Sequence, residues 1–230
     1  MRVIRADSPR EATGLVVVID VLRAFTVSAY ALAGGARDVV FVANLEEARL
    51  VAAAIPGALL CAEVDGLPVE GIPISNSPTQ VAAADLAGRT LVQRSSAGVQ
   101  ALAAVAPHAE GLLAACLVVA GATAAEVRRR RPEVVTLLPS VPEHAEDAAC
   151  ADALEQLLGG GRPDLDALLA PLRASERYAE LASGLRPGFP ATDLDLALVL
   201  DRFDFPLPVE TGEGGLLRIR PRWRPGAPST

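Results

Sequence analysis

Asp20 closes the apolar run Leu15-Val16-Val17-Val18-Ile19, and Arg23 follows three residues later. Such a run reads as a buried strand that delivers a carboxylate to the rim of a sheet, where open α/β sheets bind their ligands. An acid and a guanidinium this close suit a site that holds a hard divalent cation together with an anionic substrate. A structural role fits too, since Asp caps helices and Arg23 can pair with it.

Four further segments place reactive or charged groups at the ends of strand-like runs. Arg94-Ser95-Ser96-Ala97-Gly98 combines two hydroxyls and a glycine with a helix N-terminus, whose N–H groups and dipole favour anions. Arg94 adds a cation, although serine capping accounts for the same hydroxyls. Glu63 and Asp65 read as metal ligands or as a solvated turn. Asn76 and Ser77, before Pro78, read as substrate contacts or as an Asx-type turn with a helix cap. Glu146 and Asp147 open a helix that also carries Cys150. They offer a carboxylate to a metal or a general base to a reaction, while the helix dipole favours acids there in any case.

The elements that must position these groups alternate. Strands are expected over 16–20, 38–42, 58–61, 90–93, 112–116 and 134–138, with helical patterns between them. Asn44 with Glu47 three residues on is a capping-box arrangement. Ser77-Pro78 reads as a cap followed by proline at the first helical position. The expected fold class is α/β, three-layer α/β/α with a mostly parallel or mixed sheet. The C-terminal third is expected to be helix-rich over 143–182, with β-like segments near 207–210 and 216–220. A single domain over 1–220, with any subdivision near 140–160, and a tail over 221–230 complete the expectation.

Composition removes several classes of chemistry. All 21 basic residues are arginine, so the Walker phosphate loop and other lysine-dependent mechanisms are excluded. No G-x-G-x-x-G follows a strand, and no G-x-S-x-G elbow is present. His108 and His144 are the only histidines, too few for a zinc enzyme with histidine ligands. A haloacid-dehalogenase-type site needs D-x-D and a lysine, but Leu22 stands at the second position. No cysteine has an arginine six residues later, as cysteine phosphatases require. What remains is a site of carboxylates and arginines, suited to Mg²⁺ and a phosphate-like substrate.

The net charge of −7 and 3% aromatic content argue against nucleic acid as a partner. The longest apolar runs, such as 112–120, fall short of the roughly 20 residues a membrane span needs. With no signal-peptide pattern and three scattered cysteines, a cytoplasmic protein with reduced thiols is expected. A homodimer is the default for a soluble enzyme.

In their order, the segments Val18-Ile19-Asp20-Val21-Leu22-Arg23-Ala24, Glu63 with Gly66, and Asn76-Ser77-Pro78 resemble the 2-phosphosulfolactate phosphatase family. Ser95-Ser96-Ala97-Gly98, Glu146-Asp147 with Cys150-Ala151, and Asp201-Arg202-Phe203-Asp204 extend the resemblance. It implies Mg²⁺-dependent hydrolysis of (2R)-2-phospho-3-sulfolactate to 3-sulfolactate and phosphate, a step of coenzyme M synthesis. It also implies roles for particular residues. Asp20, Glu63 and Glu146 would hold the metal, with Asp20, Arg23, Glu146 and Asp147 as the catalytic set. Arg94, Ser95, Ser96, Gly98, Asn76 and Ser77 would hold the phosphorylated, sulfonated substrate. The chain departs from the family's Thr-Asn-Gly-Thr loop at Ala97 and Val99, and Ala62 and Ser75 stand where glycines are expected. These departures motivate an alternative, a diverged relative that binds an acidic metabolite without turnover.

Overall fold

The computed structural model describes residues 1–221. Among the described residues, ten strands form one mixed sheet. In chain order, β1 (Arg2–Arg5), β2 (Leu15–Ile19), β7 (Gly111–Ala115) and β8 (Val134–Pro139) make one parallel block, ordered β1-β8-β2-β7. A second parallel block contains β3 (Asp38–Phe41), β6 (Thr90–Arg94) and β4 (Leu59–Val64), with β5 (Leu67–Pro68) antiparallel at its edge. The C-terminal strands β9 (Leu207–Thr211) and β10 (Leu217–Ile219) join the blocks, pairing antiparallel with each other, with β7 and with β3.

Helices α1 (Ala24–Ala33), α2 (Leu45–Ala54), α3 (Pro78–Ala82), α4 (Gly98–Val105) and α5 (Ala120–Arg130) connect these strands. Helices α6 (Ala145–Leu158), α7 (Leu165–Arg173), α8 (Glu176–Ala182) and α9 (Thr192–Ala197) supply the helix-rich C-terminal third. The α/β class and the mixed sheet match the expectation. The Asn44 side chain caps α2 by accepting from Glu47 N, and Ser77 caps α3. Strand β1 is not among the expected strands; it is a short edge strand with charged ends, and its pairing with β8 is non-local. Helix α9 also lies outside the expected helical region. Apart from Pro221, the expected tail lies outside the described residues.

The sheet curls, and the curl makes the site. Three successive antiparallel pairings separate β7 from β3, so the two blocks run in opposite directions along the ladder. Strands β2 and β6 stand five positions apart in the order, which a flat sheet would space by ~24 Å. Yet Asp20, just after β2, accepts a hydrogen bond from Gly98 N, just after β6. The sheet therefore bends round α1, whose residues are buried on nearly every face. A helix that is hydrophobic all round belongs inside a core. Phe25 of α1 meets Phe41 of β3 edge to face, at 6.1 Å between ring centroids.

Cys61, Cys116 and Cys150 are all free and buried. Burial pushes the Cys61 and Cys116 thiols up to about 12 and raises Cys150 as well. The thiolate is the reactive form, so Ellman's reagent at pH 8 is expected to modify none of the three within minutes in the native protein. In guanidinium chloride it should modify all three. Fast native labelling of any one would contradict this packing.

Candidate active site

One pocket of about 300 Å³ opens where the ends of β2, β4 and β6 meet. Asp20, Arg23, Glu63, Asn76, Ser95 and Ser96 line it. The other wall comes from the C-terminal third and carries His144, Arg177, Arg186 and Phe189. None of these four is a site candidate from sequence. Helix α8 falls within the expected helical stretch 143–182, and its docking brings Arg177 to the pocket.

The loop after β6 holds acids rather than an exogenous anion. Gly98 N donates to Asp20 Oδ2 at 2.9 Å, and Ala24 N donates to Asp20 Oδ1 at 2.9 Å. Ser96 N donates to Glu63 Oε1, while Gly66 N donates to Glu63 Oε2 at 2.6 Å. Val99 N donates to Ser95 Oγ at 3.0 Å. The anion cradle expected at the start of α4 is thus largely filled by the protein's own carboxylates, by the same dipole logic.

Several expected roles change accordingly. Arg94 does not line the pocket. Its guanidinium donates to the carbonyls of Ala43 and Glu63 and to Ser96 Oγ, tying β6 to β4. Ser77 also lies behind the pocket, donating to Asp193 Oδ1 at 2.7 Å. Asp147 accepts from Val21 N at 2.8 Å and Ser140 Oγ at 3.1 Å, so it braces the turn after β2, and it does not line the pocket. Gly98 reaches the site through its backbone N–H alone. A Cβ there would sit 2.6 Å from Asp20 Oδ2. Gly98→Ala should therefore displace the Asp20 carboxylate and lower turnover about a hundredfold, the usual cost of misplacing a reacting group by an ångström. Wild-type kinetics in that variant would show that Asp20 tolerates the shift.

Arg23 is buried and pairs with Asp193 at 2.8 Å. It also donates to the carbonyls of Gly188 and Ser75, and its guanidinium lies 4.4 Å from the Phe189 ring centroid. These bonds occupy three of its five N–H donors, and the residue lines the pocket.

The two serines differ in what they have left. Ser96 Oγ accepts from Asp65 N and Arg94 and donates to Glu63 Oε2, so its bonding capacity is used. Ser95 Oγ accepts only from Val99 N, which leaves its O–H to donate. Asn76 Oδ1 accepts from Gln93 Nε2, which fixes the amide and leaves its NH₂ as a donor.

Electrostatics favour an added positive charge at the acids. Burial pushes Asp20 up to about 6, with the charges of Glu63 and Glu146 adding to it and the backbone donors opposing. Asp147 is raised by burial first and then by Asp20 and Glu146. Burial, then the Arg177 guanidinium, holds His144 below the ordinary histidine value. Glu146 is fully buried; its Oε1 accepts from Arg177 at 2.8 Å, but its Oε2 has no hydrogen-bond partner. Among the described residues, no three His, Cys, Asp or Glu side chains form a closed metal cage. Mg²⁺ does not need one, since it is commonly bound through one or two carboxylates plus water and substrate oxygens. Asp20 lines the pocket, and Glu146 Oε2, though fully buried and not in the lining, is unpartnered and close enough to raise Asp20; these two carboxylates fit that donor set. Glu63 fits less well, because its oxygens already accept three hydrogen bonds, against two at Asp20.

A family model described as 2-phosphosulpholactate phosphatase matches residues 3–186. The chain is 32% identical over 146 residues to "Probable 2-phosphosulfolactate phosphatase" of Bacillus subtilis, covering 63% of this chain and 64% of that protein. Proteins of the same printed name are similar in Gloeobacter violaceus, at 34% over 161 residues, and Carboxydothermus hydrogenoformans, at 40% over 125 residues. Those matches cover 68% of this chain and of the Gloeobacter protein, and 54% of this chain and 51% of the Carboxydothermus protein. The match thus spans just under two thirds of the Bacillus relative's length.

Proposed function

Because the chain belongs to the 2-phosphosulfolactate phosphatase family, we propose that it hydrolyses a phosphate monoester on a small, multiply charged acid. The specific reaction is 2-phospho-3-sulfolactate with water to 3-sulfolactate and phosphate. The observation that carries this reading is the joining of Asp20 and Glu63 with Arg23, Arg177 and Arg186 around one pocket. Carboxylates suit a cation there, and guanidiniums suit the oxyanions of the ester.

Phosphoryl transfer through a loose transition state asks a protein mainly for positioning and charge. Arg23, the Asn76 NH₂ and the Ser95 hydroxyl would hold the phosphoryl oxygens. Asp20 and Glu146 would hold Mg²⁺, which when bound polarises a phosphoryl oxygen and offsets charge developing in the transition state. Water is the attacking group in this reading. Ser96 Oγ has its bonding capacity filled. Ser95 Oγ has no hydrogen bond to a base among the described residues. The water oxygen bonds to phosphorus as the ester P–O bond breaks, and the leaving lactate oxygen takes up a proton. Leu181 and Phe189 add apolar surface to the pocket that limits bulk water.

The test is phosphate release from 2-phospho-3-sulfolactate, with and without EDTA and after Mg²⁺ is restored. Metal-dependent release is the expected result. Absence of release from this and from plain phosphomonoesters, with anion binding still seen by calorimetry, would favour a binding protein without turnover.

A further inference from the structure

Two buried polar atoms of one ion pair lack partners: Arg177 Nε and Glu146 Oε2. The two side chains form an ion pair through one arm only, Arg177 Nη2 to Glu146 Oε1 at 2.8 Å. Arginine–carboxylate pairs frequently close as a two-armed fork. Buried unpartnered polar atoms are rare in native proteins and call for a specific explanation, a bound ligand among them. Here the half-open pair borders the pocket, because Arg177 lines it.

The other guanidiniums near the pocket are engaged differently. Arg23 is tied to Asp193 and two carbonyls. Arg94 is turned away into the β6–β4 tie. Arg186 donates to Glu180 and borders Gly66, where a Cβ would meet its guanidinium at 2.7 Å. Arg177 is therefore the cation in the pocket whose donor geometry is set by the protein and yet incomplete.

We infer that Arg177 is a specificity-determining residue that reads a second oxyanion of the substrate, its sulfonate or carboxylate, through the guanidinium donors that its one-armed pair with Glu146 leaves free. Glu146 holds the guanidinium in place through Nη2, and the partly exposed Arg177 side chain lines the pocket. The phosphoryl group is bound elsewhere in the pocket, by Asn76, Ser95 and Arg23. The inference rests on the phosphatase reading for its substrate class, and it predicts a preference for esters with a further fixed negative charge. A site built to pair a charged donor discriminates strongly against ligands that leave it unpaired.

The experiment compares three esters: 2-phospho-3-sulfolactate, 2-phospholactate and p-nitrophenyl phosphate. The first carries phosphate, sulfonate and carboxylate, the second lacks the sulfonate, and the third carries phosphate alone. Wild type, Arg177→Ala and Arg177→Lys are assayed for kcat/KM, and each is titrated with 3-sulfolactate by calorimetry. The preference of wild type for 2-phospho-3-sulfolactate over p-nitrophenyl phosphate should fall about fiftyfold in Arg177→Ala, the loss of one charged hydrogen bond. In Arg177→Lys, which keeps a positive partner for Glu146 but loses the planar fork of donors, it should fall about tenfold, a smaller loss of the same kind. A sulfonate contact makes 2-phospholactate behave like the plain ester, whereas a carboxylate contact makes it behave like the sulfonated one.

An unchanged preference in both variants, with all esters slowed together, would overturn the inference and leave Arg177 a structural brace for Glu146. If wild type hydrolyses no ester, the phosphatase reading fails by itself. Arg177 then stands if 3-sulfolactate binds wild type at least tenfold more tightly than either variant, and falls if the affinities are equal or wild type does not bind.

Discussion

Asp20→Asn is expected to lower kcat/KM for the phosphorylated substrate by about a thousandfold and to leave the protein folded. Asp20 is the carboxylate at which the cation and the phosphoryl group meet in this account. A bound metal contributes several kcal/mol of transition-state charge stabilisation, and about 4 kcal/mol corresponds to a thousandfold in rate. Stability should change far less, because two effects oppose. The amide cannot accept from both Ala24 N and Gly98 N, and an unpaired buried N–H costs about 1–3 kcal/mol. In the metal-free protein, however, burial and the neighbouring acids hold Asp20 up at about 6. A folded-state value above the unfolded one means that the ionised carboxylate opposes folding at pH 7. Its neutral replacement removes that cost, which is on the order of 3 kcal/mol. Steady-state kinetics beside a melting curve separate the outcomes. Full activity in a folded Asp20→Asn protein would remove Asp20 from the mechanism.

The largest loss of stability is expected from Asp193→Ala. The Asp193 carboxylate is fully buried and accepts from Arg23 on Oδ2 and from Ser77 Oγ and Thr79 N on Oδ1, while its own N–H donates to Pro190 O. It thereby ties α9 to α3 and fixes the Arg23 guanidinium at the pocket. Removing one partner of a buried pair leaves the other charge without compensation, at about 3–5 kcal/mol. For a chain of this size that corresponds to a melting point lower by roughly 10 °C. The same variant should raise KM, because Arg23 loses the contact that aims it. Differential scanning calorimetry checks the first effect, and a melting point within a degree of wild type would contradict it.

Much of the acidic side of the site is legible in the sequence, because it sits at strand ends. An apolar run that stops on an acid reads as a strand delivering that acid to a rim, so Asp20 and Glu63 stand out from the order of residues alone. The Ser95-Ser96 loop stands out for the same reason, although its N–H groups serve Asp20 and Glu63. Arg94 shows the limit of local reasoning. An arginine at a strand end looks aimed at a ligand, yet its stem lies in the β6–β4 seam and its donors find backbone carbonyls.

The cationic side is not legible in this way. Arg177 lies on a short helix whose polar residues look solvated, and Arg186 and Phe189 lie in the loop beyond it. Their inward orientation depends on docking of the C-terminal third, including the Arg23–Asp193 pair that spans 170 residues. The curl of the sheet is hidden likewise. The segments at 207–210 and 216–220 read as β-like, but nothing local tells that β9 and β10 insert between β7 and β3. Without that insertion, the ends of β2 and β6 would not be read as neighbours.

A crystal soaked with Mg²⁺ and 3-sulfolactate tests the central claim most directly, since it shows whether acids and guanidiniums of this pocket share one guest. The account predicts a cation bound by Asp20 and oxyanion density between Asn76, Ser95 and Arg177. A cation or ligand seated elsewhere, with this pocket holding only water at saturating concentrations, would contradict it.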